Sequence, residues 1–253
     1  MSEDPRLFEV FLDVQRGLPR QGPGCDESTR RALALCRGLP ECPAVLDIGC
    51  GPGMQTLVLA EALNGLVTAI DIFPEYLDQL NERANAAGLS SCIEIVAGDM
   101  TALPFPPQSF DLIWSEGAAY VMGFAEAFTA WKALLKPAGC IAVSELVWLD
   151  SDPPSEAANF FGDEYPAMTD VETNLKTICT CGYEVLGHFT LSDAAWWRHY
   201  YTPLEAKLPA LVDKYAGDEE ALAVIETTRR EIEMRRRFGQ SYGYAFFVAR
   251  RAG

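Results

Sequence analysis

Apolar and polar positions change their period in a regular way from residue 44 onward. Short runs rich in aliphatic and β-branched residues occur at 44–48, 66–72, 92–97, 109–115 and 139–148. Between them the apolar spacing becomes helical, at 54–64, 74–87 and 123–135. Strands that alternate with helices of this length predict right-handed β-α-β crossovers and a mainly parallel sheet covered on both faces. The runs carry few charges, which suits strands buried on two sides. Pro74 stands where the first turn of a helix tolerates it, and Gly88 lies just past that helix, where a left-handed residue is needed.

The flanks read differently. Helical spacing covers about 4–17 and 26–38, separated by the Gly/Pro break "GLPRQGPGCDES" (17–28), with Asp26 or Ser28 as the cap of the second helix. After the fifth strand a polar, Pro-containing stretch (150–156) leads into helical patterns up to about 181. Thr169-Asp170-Val171-Glu172 has the spacing of a capping box, and Gly182 ends that helix. A strand pattern follows at 183–191, a long helical section at about 193–238, and a last strand at 242–250. The prediction is therefore α/β: a seven-stranded, mostly parallel, doubly wound sheet with helical cap elements, in one domain (1–253). Within it, 1–43 is an N-terminal helical cap and 44–150 the ligand-binding core. Residues 151–253 form the C-terminal half, with a helical insert at 193–238.

The run "VLDIGCGPGMQTLVLA" (45–60) takes a strand through a burst of glycines into a helix, which is how a chain builds a nucleotide cradle. No Lys follows the glycines, so a P-loop is excluded. Gly49, Gly51 and Gly53 are spaced Gly-x-Gly-x-Gly, and Met54 occupies the third glycine position of a dinucleotide fingerprint, which weakens a dehydrogenase reading. Glycines let the backbone approach a ligand closely, and the next helix offers free N–H groups to a carboxylate.

The run "LDIGCGPG" resembles the first motif of class I S-adenosylmethionine (SAM)-dependent methyltransferases, in the small-molecule group that includes ubiquinone/menaquinone C-methyltransferases and sarcosine or glycine-betaine N-methyltransferases. The resemblance continues through "VTAIDI", "VAGDMTALPF", "SFDLIWSEGA" and "LLKPAGCIAVSE", five elements in the family's order over residues 44–148. It implies a Rossmann-like fold that binds SAM and releases S-adenosylhomocysteine. It places Gly49, Cys50, Gly51 and Gly53 around the cofactor, Asp71 at the ribose and Asp99 at the adenine, with Ile72 and Met100 also in contact with the cofactor; Asp47 could hold the loop or the cofactor's ammonium. Ser115 completes that set. The acid types fit, because a carboxylate offers several acceptors to ribose hydroxyls.

The acceptor side is less determined. Ligands of open α/β sheets lie beyond the carboxyl ends of the strands, so "WSEGAAYVMGF" (114–124) is the first place to look. Glu116 is a candidate for taking a substrate proton or binding a substrate amine, with cofactor contact or helix capping as alternatives. Tyr120 is a second candidate, with core packing as the alternative. In "AAWWRHYYTPLE", Trp196 and Tyr200, and Trp197 and Tyr201, stand four apart and would share helix faces. Such rings could wall a cationic or planar acceptor, or pack on the sheet or on a second subunit. His199 is a weaker base candidate, and His188 reads as structural. By the resemblance, residues 1–43, 151–176 and 193–238 would cover the site, with Gln21–Gly24 as a lid that excludes water.

The formal net charge of −16 disfavours nucleic acid and anionic membrane as partners. No apolar run is long enough to span a bilayer, and "MSEDPRLFEV" lacks a leader's basic and apolar regions. The eight cysteines have no metal-site spacing, so no metal is expected and reduced thiols in a cytoplasm are. The expectation is a methyltransferase (EC 2.1.1) acting on a small-molecule N, O or C nucleophile, with a homodimer possible. A SAM- or S-adenosylhomocysteine-binding regulatory or assembly protein without catalysis is the alternative.

Overall fold

The computed structural model describes residues 4–253; residues 1–3 of the acidic run at the start lie outside them. The strands are β1 (Val45–Ile48), β2 (Val67–Asp71), β3 (Ile93–Ala97), β4 (Phe110–Glu116), β5 (Leu135–Trp148), β6 (Thr169–Asp170), β7 (Tyr183–Thr190) and β8 (Tyr242–Arg251). The main path of the sheet runs β3-β2-β1-β4-β5-β8-β7. Its pairs are parallel from β3 to β5, and β8 lies antiparallel between β5 and β7. These seven are the predicted strands. The two-residue β6, added beside the end of β5, is too short to show as a periodic run.

The helices α2 (Asp26–Leu35), α3 (Met54–Ala62) and α4 (Pro74–Ala87) cover one face of the sheet, and α5 (Phe124–Trp131) and α7 (Val171–Thr180) cover the other. Burial of strand residues on both faces is nearly complete: Leu46, Ile113 and Ile141 on one side, and Val45, Leu112 and Ala142 on the other, have no exposed surface. A third core lies over the carboxyl ends of the strands. It joins α1 (Pro5–Gln15) and α6 (Ser155–Glu164) to α8 (Ala194–Trp196), α9 (Thr202–Lys214) and α10 (Glu219–Phe238). The chain order reverses between β1 and β4, and a ligand crevice forms at such a switch point.

Pro74 and Gly88 do what their positions require; Gly88 is left-handed at φ +71. Three local expectations change. Cys25 caps α2, with Ser28 three residues on accepting the Cys25 N–H, so neither Asp26 nor Ser28 is the cap. Asp170 rather than Thr169 caps α7, because its carboxylate reaches the Thr173 N–H at 2.8 Å. The helix expected over 123–135 stops at Trp131, passes through one 3-10 turn, and feeds β5 four residues before the apolar run begins.

Candidate functional site

The glycine run builds a loop whose conformation depends on glycine. Gly49, Gly51 and Gly53 all have positive φ, at +67, +53 and +82. A Cβ on Gly49 would lie 2.5 Å from the Ala118 Cβ, so backbone and neighbour meet too closely for any side chain. Gly53 caps α3, and Met54 opens that helix directly, without the third glycine of a dinucleotide site. Cys50 is buried under the loop, its thiol on the Gly51 carbonyl.

Asp47, at the end of β1, has no exposed surface. Its Oδ2 accepts the Thr56 hydroxyl at 2.6 Å, while Oδ1 has no partner among the described residues. Burial pushes its carboxyl up to about 7, against the pull of Thr56 and with a further push from Glu116. A buried acceptor left open beside a glycine loop calls for a positively charged donor. The Ser115 hydroxyl, fully buried on β4, is open in the same way.

Asp71 ends β2 with its carboxylate between two backbone groups, the Gly51 N–H at 2.8 Å and the Phe73 N–H at 3.0 Å. It thus braces the loop, and each oxygen retains a further acceptor position. Next to it, Ile72 leaves 57 % of its surface open, unusual for an isoleucine unless something flat covers it. Asp99 is exposed after β3 and turns on the Thr101 N–H at 2.8 Å, which lowers its pKa. Met100 reaches back toward Gly49. The loop, the Asp71–Ile72 pair and the Asp99–Met100 pair therefore lie at the carboxyl ends of β1, β2 and β3, where a nucleoside of extended shape fits.

The segment between α1 and α2 packs over this loop. Gln21 sits 3.5 Å from where a Gly51 Cβ would be and accepts the Tyr76 hydroxyl at 2.9 Å. Arg83 donates to the carbonyls of Pro19 and Pro52, tying segment to loop. Glu116 is the central anchor. Its carboxylate receives Arg20 at 3.0 Å, the Thr29 hydroxyl at 2.7 Å and the Trp114 indole N–H at 3.0 Å. With three donors, Arg20 on Oε2 and Thr29 with Trp114 on Oε1, it is engaged in holding the segment.

The aromatic insert also differs from an ideal helix. Residues Trp197–Tyr201 form a π-helical turn, which widens the repeat. Trp196 therefore meets Tyr201, five residues on, at 5.7 Å between ring centres, in place of the expected contact with Tyr200. Trp196 and Tyr200 are buried in the cap core, and Trp196 also packs on Tyr244 at 5.5 Å. Trp197 keeps the expected contact with Tyr201, at 5.6 Å between ring centres, and also faces Arg236 and bonds Asp193. His199 is half-buried, its carbonyl accepting the Arg20 N–H, and His188 is exposed on β7.

One group was not singled out in the sequence. Glu145 lies on β5 with 1 % of its surface exposed; Oε1 accepts the Leu146 N–H, and the Tyr165 hydroxyl is the nearest side-chain donor to the carboxyl. Burial pushes its carboxyl up to about 7, with Tyr165 drawing it partly back. Tyr120 feels its charge, and keeps 47 % of its own surface open although desolvation raises its hydroxyl. The signal was the lone acid inside "CIAVSELVW", a strand otherwise free of charge.

Residues 45–139 match a family described as a methyltransferase domain. A sterol 24-C-methyltransferase of Gibberella zeae is 27% identical over 179 residues, covering 65% of this chain and 46% of that protein. The cycloartenol-C-24-methyltransferase of Arabidopsis thaliana is 27% identical over 211 residues, covering 78% and 61%. The chain spans about half the length of the sterol methyltransferases it matches first. Among solved structures, a SAM-dependent methyltransferase of Geobacter sulfurreducens in complex with S-adenosylhomocysteine aligns with a TM-score of 0.79 at 20% identity, covering 98% of this chain and 99% of that one. Residues 45–139 thus match a methyltransferase domain, and the chain as a whole shares the fold of that SAM-dependent methyltransferase.

Proposed function

We propose that the chain transfers a methyl group from SAM to a small-molecule acceptor. The observation that carries this reading is the open Oδ1 of buried Asp47 beside three left-handed glycines, at the switch point of the sheet. The unpaired Asp47 oxygen suits the cofactor's ammonium. The loop and the start of α3 suit its carboxylate, Asp71 its ribose hydroxyls, and Ile72 with Asp99 and Met100 its adenine. Gly49 lets the loop pack directly on Ala118, where a Cβ would clash. When bound, SAM supplies a methyl carbon on a sulfonium, ready for in-line attack.

The protein's own part is alignment and exclusion of water. The Pro19–Gly24 segment covers the loop and is held by Arg83, by Glu116 through Arg20, and by the Gly24 N–H on the Ala195 carbonyl. Glu116 acts in this reading as a positioning residue. In this reading the acceptor enters past Tyr120, with Trp196, Tyr200 and the Trp197–Tyr201 pair as the packed support behind it.

The formal charge of −16 supports a small molecule over nucleic acid, and free thiols at all eight cysteines support a cytoplasmic location. No helix among the described residues is long and apolar enough to cross a membrane. The aromatic insert buries its rings within the chain, so it lends no support to a homodimer.

The test is calorimetry with S-adenosylhomocysteine, followed by incubation of labelled SAM with a metabolite extract. A labelled small product supports the enzyme. Tight binding with no transfer supports a non-catalytic binding protein, and NADH binding in place of S-adenosylhomocysteine overturns both readings.

A further inference from the structure

Two of the thiols meet each other away from the cofactor crevice. Cys36 caps the C-terminal end of α2, with its N–H on the Leu33 carbonyl, and Cys140 stands in β5. Both belong to the core that packs α2, α3 and α4 on the sheet, at 6 % and 1 % exposure. The Cys36 S–H lies between two acceptors, the Ala32 carbonyl at 3.6 Å and the Cys140 sulfur. Strand register brings a cation to the same place. Cys140 pairs across the sheet with Arg250 of β8, and the Arg250 guanidinium donates to the Arg37 carbonyl at 2.8 Å, directly after Cys36. Other thiols are placed differently: Cys25, Cys42, Cys50, Cys92 and Cys181 bond oxygen or nitrogen.

Cys36 is reached from outside. It lines an open groove of about 520 Å³ between the ends of α2 and α3, beside Leu33, Leu39, Leu63 and Arg30. A buried thiol is ordinarily inert, because an apolar setting disfavours its thiolate. This pair escapes that rule. The Cys36 S–H and the Arg250 guanidinium hold Cys140 down at about 7, while the facing Cys140 and burial push Cys36 up. Above about pH 7 the two sulfurs therefore share one proton beside a fixed positive charge.

We propose that Cys36 and Cys140 are a redox-active pair, oxidised by a low-molecular-weight disulfide that enters the α2–α3 groove and leaves a Cys36–Cys140 disulfide behind. The Cys36 proton passes to Cys140, and the Cys36 thiolate attacks one sulfur of the oxidant. That breaks the oxidant's S–S bond, forms a mixed disulfide on Cys36 and expels one thiolate, which takes the proton from Cys140. The Cys140 thiolate then attacks Cys36 Sγ, closes the internal bond and expels the second thiolate. The pair loses two electrons and its shared proton; the oxidant leaves as one thiol and one thiolate. Excess thiol reverses both steps, and such bonds are transient and redox-sensing in a reducing compartment. The closed loop contains β1 to β4, and it fixes onto β5 the end of the helix whose Thr29 holds Glu116. A cross-link over so long a loop stabilises the fold by restricting the unfolded chain.

The experiment incubates the full chain with oxidised glutathione at pH 8, quenches it with a maleimide and maps unreduced peptides by mass spectrometry. The wild type is expected to yield peptides joined through Cys36 and Cys140 within one chain. It should then melt about 5 °C or more above its reduced form, a rise absent from Cys36→Ala treated in the same way. Cys140→Ala should stop at the first step, with glutathione held on Cys36, and Cys92→Ala, outside the pair, should still close the bond. No Cys36–Cys140 linkage in the wild type overturns the inference, whether or not the variants fold. So does a folded Cys140→Ala without glutathione on Cys36, or an oxidised wild type that melts no higher than the reduced one.

Discussion

Arg20 donates to Glu116 Oε2 at 3.0 Å, and both side chains are 5 % exposed. This ion pair joins residues 96 positions apart and fixes the N-terminal segment to the end of β4. Removing one partner of a buried pair leaves the other charge uncompensated, at a cost of about 3–5 kcal/mol. Glu116→Ala is therefore expected to lower unfolding free energy by about that much in urea, and the double replacement Arg20→Met, Glu116→Leu to recover most of it. A double variant no more stable than the single one would remove the pair from its anchoring role.

Asp47 offers a cleaner separation of binding from stability. In the free protein its burial favours the neutral form, so Asp47→Asn, which keeps an acceptor for Thr56, should leave stability at pH 7.5 unchanged or slightly raised. Charge-assisted hydrogen bonds contribute about 1.5–3 kcal/mol, so S-adenosylhomocysteine affinity should fall about ten- to hundred-fold. Calorimetry on a variant with wild-type melting decides it; unchanged affinity would mean the ammonium is held elsewhere.

Two glycines with nearly equal φ test whether the loop is shaped by backbone conformation or by the space it leaves. Gly88, at φ +71, has nothing within 4 Å of an added Cβ; Gly49, at φ +67, would place one 2.5 Å from Ala118. Gly88→Ala should cost only the left-handed strain, about 1–2 kcal/mol. Gly49→Ala should cost clearly more and abolish S-adenosylhomocysteine binding. Similar losses of stability in both would show that Ala118 yields.

The cofactor half of the site was legible because its chemistry is written in contiguous runs. Gly49 to Gly53, Asp71 and Asp99 each follow a strand, and strand ends are readable from period alone. The acceptor half comes from the meeting of distant segments. Nothing local distinguishes Glu116 as the partner of Arg20 and Thr29, and nothing in an α-helical reading anticipates that a π-turn moves Trp196 onto Tyr201. Glu145 was hidden by its strand: one acid among apolar residues reads as a solvent-facing position until the cap above it is known. The short β6 and the early start of β5 were missed for the opposite reason, since pairing with a neighbour, not residue preference, makes them strands.

Burial raises four carboxyls, Asp47, Asp71, Glu145 and Glu231, which gives the free protein an unusual pH response. Asp47 and Glu145 titrate near 7 when folded and near 4 when unfolded, so between these values the native state binds more protons. Stability then falls as pH rises through that window and levels off above about 7, with a slope of at most about 1.4 kcal/mol per pH unit for each group. Asp13, Asp99, Asp170 and Asp218 are shifted downward and act below the window, where they lose stability as pH falls. His199 is also lowered and opposes the trend, since its native state favours the neutral ring as pH rises toward its unfolded value. Differences between proteins cancel it. Urea unfolding at pH 5.5 and 7.5 should show the wild type losing about 1–2 kcal/mol more over that interval than either Asp47→Asn or Glu145→Gln, each of which deletes one titrating group. S-adenosylhomocysteine should weaken the wild-type loss, because a bound ammonium favours ionised Asp47. Parallel pH profiles for wild type and both variants would mean that neither carboxyl carries its proton into the neutral range.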